Sequence, residues 1–226
     1  MESLASLSRF TEKYPQMVNE ELQYSFTGGS GIRLNQELAK SQERRPITDF
    51  DLIIFREDES VKYPTHQFNL KRVRDLIDLT DSEVLDLVKF VEIDGKKYYF
   101  MDSNFLTLSK TCAFDNPRPK DLDDIYRLDE LDLIDFGKLK ELYSKAVTIT
   151  HNSDLVIETL KWVINYPKDE TIAREKLFAS FPKLVNLLNE FEKYDLAKNM
   201  VVSFCEEYSG DGNATASVIY NVHSVI

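Results

Sequence analysis

The chain has 226 residues, 42% of them apolar and 30% charged, and carries a net charge of −11 at pH 7. That length buries a sizeable core in one domain or two small ones. The acidity argues against a surface made for non-specific nucleic-acid binding, which needs excess Lys and Arg to neutralise phosphates, although a local basic groove remains compatible with it.

In chain order, Leu4 to Leu22 reads as a helix with apolar positions at Leu4, Leu7, Met17, Val18 and Leu22, interrupted at Pro15. Tyr24-Ser25-Phe26-Thr27 reads as a short strand. Three of the seven glycines, Gly28, Gly29 and Gly31, follow it at once and mark a special loop in a Gly-poor chain. Ile32 to Lys40 reads as a helix, and Ser41 to Pro46 as a polar loop. Asp49 to Phe55 is an apolar run opened by two alternating acids, the pattern of a buried strand. Leu70 to Leu79 and Ser82 to Leu87 read as helical, with Asp86 alternatively opening the next strand. Val88–Ile93, Asp94-Gly95 and Lys96–Met101 form a β-hairpin signature, because Asp-Gly favours a type I′ turn and both arms are rich in β-formers. Ser103 to Phe114 reads as a helix broken at Asn116-Pro117-Arg118-Pro119, and Asp121 to Leu128 as the next. Five more helices are expected over 136–145, 155–165, 172–179, 182–194 and 195–208. The tail from Ala214 fits either helix or strand.

These elements predict an α+β (α/β) fold, a mixed sheet flanked by helices over residues 1–128, followed by a helical bundle over 129–226. Cys112 and Cys205, far apart, make no disulfide framework and read as buried thiols of a reducing compartment. Met1 to Phe10 lacks a signal-peptide layout, and no apolar run approaches the roughly 20 residues a membrane helix needs. A cytoplasmic protein of bacterial type, with no membrane partner, is expected. The Asn213-Ala214-Thr215 sequon is then coincidental.

The constellation that carries chemistry is a strand, a Gly-Gly-Ser loop, a helix, and a strand bearing Asp49-x-Asp51. Alternate strand residues share a face, so the two carboxylates stand side by side. Mg2+ (or Mn2+) takes such hard oxygen ligands and shares them with substrate phosphates. The glycines admit the backbone to a triphosphate, and the helix N-terminus favours the anion. Each signal alone is weak; the ordered combination is specific.

Phe26-Thr27-Gly28-Gly29-Ser30-Gly31-Ile32-Arg33-Leu34 resembles the Gly-Gly-[Thr/Ser]-x-x-Arg-Leu segment of the AbiEii-type nucleotidyltransferases, which include toxins of bacterial type IV toxin–antitoxin systems. Arg45-Pro46-Ile47-Thr48-Asp49-Phe50-Asp51-Leu52 is similar to that group's Arg-x-[Ser/Thr]-x-Asp-Ile-Asp-Leu strand. Arg118-Pro119-Lys120-Asp121-Leu122-Asp123-Asp124-Ile125-Tyr126 is similar to its Arg-x-[Lys/Arg]-Asp-x-x-Asp-[Ile/Leu]-Tyr motif, and Leu106–Phe114 to its helix bearing a Lys followed by Ala. The likeness covers residues 20 to 128. It implies a metal-dependent, pyrophosphate-releasing transfer of NMP from an NTP to an acceptor, with Asp49 and Asp51 as Mg2+ ligands. Glu92 would be the third acid, with Asp86 and Asp94 as fallbacks. Gly28, Gly29, Ser30 and Arg33 would make up the phosphate segment, with Gly29 and Ser30 on the β- and γ-phosphates. Lys110 would neutralise triphosphate charge, Lys120 and Asp121 would line the nucleotide site with Asp121 as a candidate base, and Asp124 would bind there or hold Lys110. A cognate antitoxin is the implied partner; RNA, protein and small molecules are open as acceptors. Lincosamide and aminoglycoside nucleotidyltransferases share related motifs, and a non-catalytic nucleotide-binding protein of the same fold is a further alternative.

Bland readings stand beside these. A hairpin Glu92 can be merely solvated, Lys110 a surface lysine, and acids at 121–124 a helix start that suits the helix dipole. His66, His151 and His223 lack metal-ligand spacing. Trp162, Phe178, Phe181 and Phe191 fit a core better than a base-stacking platform.

Overall fold

The computed structural model describes residues 2–14, 23–56, 66–112, 118–147 and 153–165, together with 175, 178, 181 and 185. Their contacts gather into two compact units, one of residues 1–107 and 127–135, the other of 108–126 and 136–226.

The first unit is built on a five-stranded mixed sheet in the order β3-β2-β1-β5-β4. Helix α1, Glu2–Lys13, places Leu7, Phe10 and Tyr14 on one buried stripe at helical spacing. The 15–22 part of the helix expected there lies outside the described residues. Strand β1, Tyr24–Thr27, sits at the sheet centre, antiparallel to β2, Asp51–Ile54, and parallel to β5, Lys96–Met101. Tyr24, Phe26, Leu52, Ile54, Tyr98 and Phe100 share one core cluster with Leu7, Phe10, Tyr14 and Leu34. Phe10 anchors it, with the rings of Phe26 and Phe50 each 4.8 Å away. Burying such a ring is worth roughly 1.5–3 kcal/mol, so the aromatic set accounts for much of what holds α1 to the sheet.

Two expectations are corrected around β1. Helix α2, Gly28–Leu38, starts at Gly28 rather than at Ile32, so no loop separates strand from helix. Gly28 has φ +53°, a conformation open to glycine, and turns the chain from one to the other. The side chain of Thr27, the N-cap residue, makes no cap; instead the Ser30 hydroxyl donates back to the Thr27 carbonyl at 2.9 Å. Strand β2 begins at Asp51, leaving Asp49 just ahead of it. The cause is the same turn: β1 pairing ends at Thr27↔Asp51, because the next residue, Gly28, already belongs to the helix.

Strand β3, His66–Asn69, runs parallel to β2 and was not expected. Helix α3, Leu70–Arg74, is shorter than the expected 70–79 and is capped by the Asn69 side chain, which accepts from Arg72 N. Helix α4, Asp81–Asp86, opens on a Thr80/Glu83 capping box and ends with Asp86, so Asp86 does not open the next strand. The hairpin is as expected. Strand β4, Val88–Ile93, pairs with β5 from Val88↔Met101 to Ile93↔Lys96, and Asp94 and Gly95 both take positive φ in the turn.

Helix α5, Ser103–Thr111, and helix α6, Pro119–Asp129, each contribute to both units. Helices α7, Phe136–Ser144, and α8, Ser153–Asn165, belong to the second unit. Further on, Glu175, Phe178, Phe181 and Val185 are helical, and the last three are buried. Phe178 and Phe181 are therefore core residues. Cys112 is a buried free thiol. Cys205, Phe191, the helix at 195–208 and the tail lie outside the described residues, as does the Trp162 side chain. The whole is a mixed α/β fold.

Candidate functional site

The alternation of β2 decides which way its acid points. Phe50, Leu52 and Ile54 join the core cluster, so Asp51 and Ile53 project from the opposite face of the sheet. The Asp51 carboxylate then lies against the Gly28 backbone. A Cβ placed on Gly28 would stand 3.0 Å from Asp51 Cγ and nearer still to Oδ2. An acid is thus seated on the strand-to-helix turn, beside the first N–H groups of α2, which have no partner within the helix. Asp49, two residues earlier, is exposed and accepts a hydrogen bond from its neighbour Thr48 at 3.1 Å.

The second glycine has an occupant of opposite charge. A Cβ on Gly29 would stand 2.5 Å from Arg45 Cζ and 2.8 Å from its Nη2, so the guanidinium covers this glycine as the carboxylate covers the first. Sequence reasoning gave Arg45 no role, although it stands in the segment that leads to Asp49. The residues beneath it are locked. Arg33 is 2% exposed; it donates to Glu37 through Nε at 3.0 Å and Nη2 at 2.7 Å, and through Nη1 to the Arg45 carbonyl at 2.9 Å. The Arg45 N–H donates to Gln36 Oε1 at 2.8 Å. Arg33 therefore holds the 41–45 loop to α2, with its head group engaged by Glu37 and the Arg45 carbonyl. Ser30, 1% exposed, spends its hydroxyl proton on Thr27.

Glu92 is not brought to this place. It shares the sheet face of Asp51, since Val91 and Ile93 pack on the opposite, core side. The registers Thr27↔Asp51, Phe26↔Phe100 and Val88↔Met101 nevertheless put Val88, not Glu92, level with Asp51. Three strand spacings across and four residues along separate the two acids, about 19 Å by sheet geometry. Glu92 is exposed and faces Lys97 across the hairpin. Asp94 is farther still, in the turn. Asp86, two residues before Val88, is the nearest of the three in register, and it is exposed. Among the described residues no three metal-ligating side chains cluster. Two carboxylates nonetheless suit Mg2+, which keeps several waters and is usually held by one or two carboxylates plus substrate phosphates.

In the second unit the motif residues assemble around Lys110. Its Nζ lies 3.0 Å from Asp121 Oδ1 and 2.7 Å from Asp124 Oδ2, and all three side chains are at most 8% exposed. Arg118 adds bonds to Asp121 through Nε at 2.8 Å, Nη2 at 3.1 Å and its backbone N–H at 3.1 Å. Burial pushes the Asp121 carboxyl up, but the Arg118 hydrogen bonds and the Lys110 charge outweigh it and hold the group below the usual carboxylate range. A carboxylate held below its usual range is a weaker proton acceptor than a free one. Lys110 is already matched by two acids, and Lys120 is exposed on the first turn of α6.

No helix among the described residues is long and apolar enough to cross a membrane. No curated protein and no solved structure matches the chain. One family model does, over residues 5–174, and its description is "Nucleotidyltransferase of unknown function (DUF6036)". The match takes in 170 of the 226 residues, including the glycine turn, both acids ahead of β2 and at its start, and the Lys110 cluster; the chain belongs to this nucleotidyltransferase family.

Proposed function

We propose that the chain is a metal-dependent nucleotidyltransferase of AbiEii-like type, which moves NMP from an NTP to an acceptor hydroxyl or phosphate. The observation that carries this reading is the Asp51 carboxylate seated on Gly28 at the first turn of α2. That turn offers an anion amide donors and a helix N-terminus, and Asp51 offers a cation oxygen ligands within the same few ångströms. Asp49 and Asp51 are the residues that would hold Mg2+ or Mn2+. Bound there, the metal withdraws charge from the phosphates under attack and leaving.

The chain's own part is placement. The α2 amides and the turn at Gly28-Gly29 receive the triphosphate, while the Ser30–Thr27 bond keeps the turn closed on β1. An acceptor oxygen forms a bond to the α-phosphorus. The bond from that phosphorus to the bridging oxygen breaks, pyrophosphate leaves with the electron pair, and a hydroxyl acceptor's proton passes to solvent. Lys110, Asp121 and Asp124 form a packed ionic block that orders the start of α6. We assign donor binding to residues 1–128 and acceptor selection to 129–226, and a toxin setting with a cognate antitoxin follows from the resemblance. A net charge of −11 favours a second acceptor class, cationic small molecules of the aminoglycoside kind, which such a field attracts.

The test is a thermal-shift series with ATP, GTP, CTP and UTP, each with Mg2+, Mn2+ or EDTA, on wild type and Asp51→Asn. A nucleotide at roughly 100 times its Kd adds about 2.7 kcal/mol of stability. Metal-dependent stabilisation by one nucleotide, lost in Asp51→Asn, is the expected result. No metal-dependent shift, or one that survives in the variant, removes the assignment.

A further inference from the structure

We infer that Arg45 is the phosphate-binding cation of this site, taking the β- and γ-phosphates that leave as pyrophosphate, and that Arg33 is its positioning residue. The inference rests on the nucleotidyltransferase reading above and adds to it the group that answers the triphosphate charge.

Four observations support it. First, the guanidinium lies on Gly29, next in the chain to the glycine that carries Asp51. The Cα atoms of consecutive residues are about 3.8 Å apart, so a fixed anion and a fixed cation flank the same helix turn. A triphosphate received at this turn would meet the guanidinium on the Gly29 side and the cation that Asp51 would hold on the Gly28 side. Second, a planar guanidinium gives two parallel donors to a phosphate, which an ammonium cannot. Third, the Arg45 backbone is clamped on both sides of its Cα, by Gln36 at its N–H and by Arg33 at its carbonyl. Glu37 in turn holds Arg33 and Arg44, the latter at 3.2 Å. This network fixes where the side chain starts. It leaves the head group on a site that only a residue without Cβ permits. Fourth, two of the cations expected on the nucleotide have their head groups engaged elsewhere, Lys110 with Asp121 and Asp124 and Arg33 with Glu37.

The Gly29 contact also supplies a probe. The atoms nearest to a methyl group there are the far end of a flexible side chain, so Gly29→Ala should move the guanidinium away at little cost to the fold. The experiment measures binding of Mg2+-tripolyphosphate and of inorganic monophosphate to the full chain by calorimetry, which removes the unknown base from the question. The proteins are wild type, Asp51→Asn, Arg45→Gln, Arg45→Lys, Gly29→Ala and the Gly29→Ala/Arg45→Gln double variant.

Arg45→Gln should bind tripolyphosphate about ten- to hundredfold more weakly, the loss of a charge-assisted hydrogen bond or two, with its thermal unfolding unchanged. Arg45→Lys should recover only part of this. Gly29→Ala should lose a similar factor, and the double variant little more than either single one, since both remove one interaction. Monophosphate binding should hardly change. Tripolyphosphate binding that is Asp51-dependent but within twofold of wild type in Arg45→Gln overturns the inference and leaves the nucleotidyltransferase reading standing. Additive losses in the double variant likewise overturn it. Wild type showing no Asp51-dependent binding overturns the reading on which it rests.

Discussion

Lys110→Met separates a structural lysine from a phosphate-binding one. Methionine keeps the aliphatic stem and deletes the charge, so Asp121 and Asp124, 2% and 3% exposed, face each other without their shared cation. Breaking a buried ion pair by removing one member costs about 3–5 kcal/mol, most of it the uncompensated charge left behind. Asp121 keeps three bonds from Arg118, so the lower end of that range applies. At about 2–4 °C per kcal/mol for a chain of this size, the melting temperature should drop by roughly 6–12 °C. The assay is thermal and urea unfolding followed by circular dichroism without nucleotide. Lys110→Met/Asp124→Asn should regain a large part of the loss, because one of the two buried carboxylates that shared the lysine is neutralised with it. Stability within about 1 kcal/mol of wild type for Lys110→Met would refute the argument and return Lys110 to the phosphates.

Asp121 makes the same block pH-dependent. Its folded carboxyl lies below the unfolded value, so its contribution is full above the ordinary carboxylate pKa of about 3.9 and is lost as pH falls through the folded value. Urea titrations should therefore show the gap between wild type and Asp121→Asn constant near neutrality and closing only in the acid range. Gly28→Ala combines positive φ with a Cβ pressed on the Asp51 carboxylate, and should cost about 1–3 kcal/mol in urea unfolding together with metal-dependent nucleotide binding. Thr80→Ala removes the capping box of α4 and should cost about 1 kcal/mol with nucleotide binding intact, which unfolding and binding measured on one preparation will check.

The parts of the fold legible in the sequence are those whose cause is local. The hairpin is written in its turn: Asp94 and Gly95 accept positive φ, and arms of β-forming residues run away from them in register. Strand β3 has no such signature. His66-Gln67-Phe68-Asn69 is short and polar, and it is extended because Leu52–Ile54 lies alongside to pair with it. The start of α2 is hidden for the opposite reason. Gly-Gly-Ser-Gly is poor helix sequence. It becomes helix because β1 delivers it at the end of the central strand, Gly28 turns the chain, and Gly31 has no Cβ, which would stand only 3.1 Å from Leu106 Cδ2 and from the Phe26 carbonyl oxygen.

The same distinction runs through the site. Asp51 and the glycines are contiguous in structure because β2 pairs with β1 at Thr27↔Asp51 and α2 starts at the very next residue, Gly28, so motif order maps onto space. Glu92 has the right face and the wrong place. Strand alternation settles the face from sequence, but the distance depends on β5 lying between β1 and β4, and on a hairpin register that leaves Val88 level with Asp51. The two arginines make the point at finer grain. Arg33 stands in the motif and looks like the phosphate ligand, yet its i+4 neighbour Glu37 takes its head group into the protein. Arg45 is twelve residues on, and only the folding of the 41–45 loop back onto Gln36 and Arg33 lays its guanidinium on Gly29. A motif thus marks a backbone turn more securely than it marks which side chain lies on that turn. A turn must be encoded where it occurs, whereas a charge can be delivered from any segment that packs within reach.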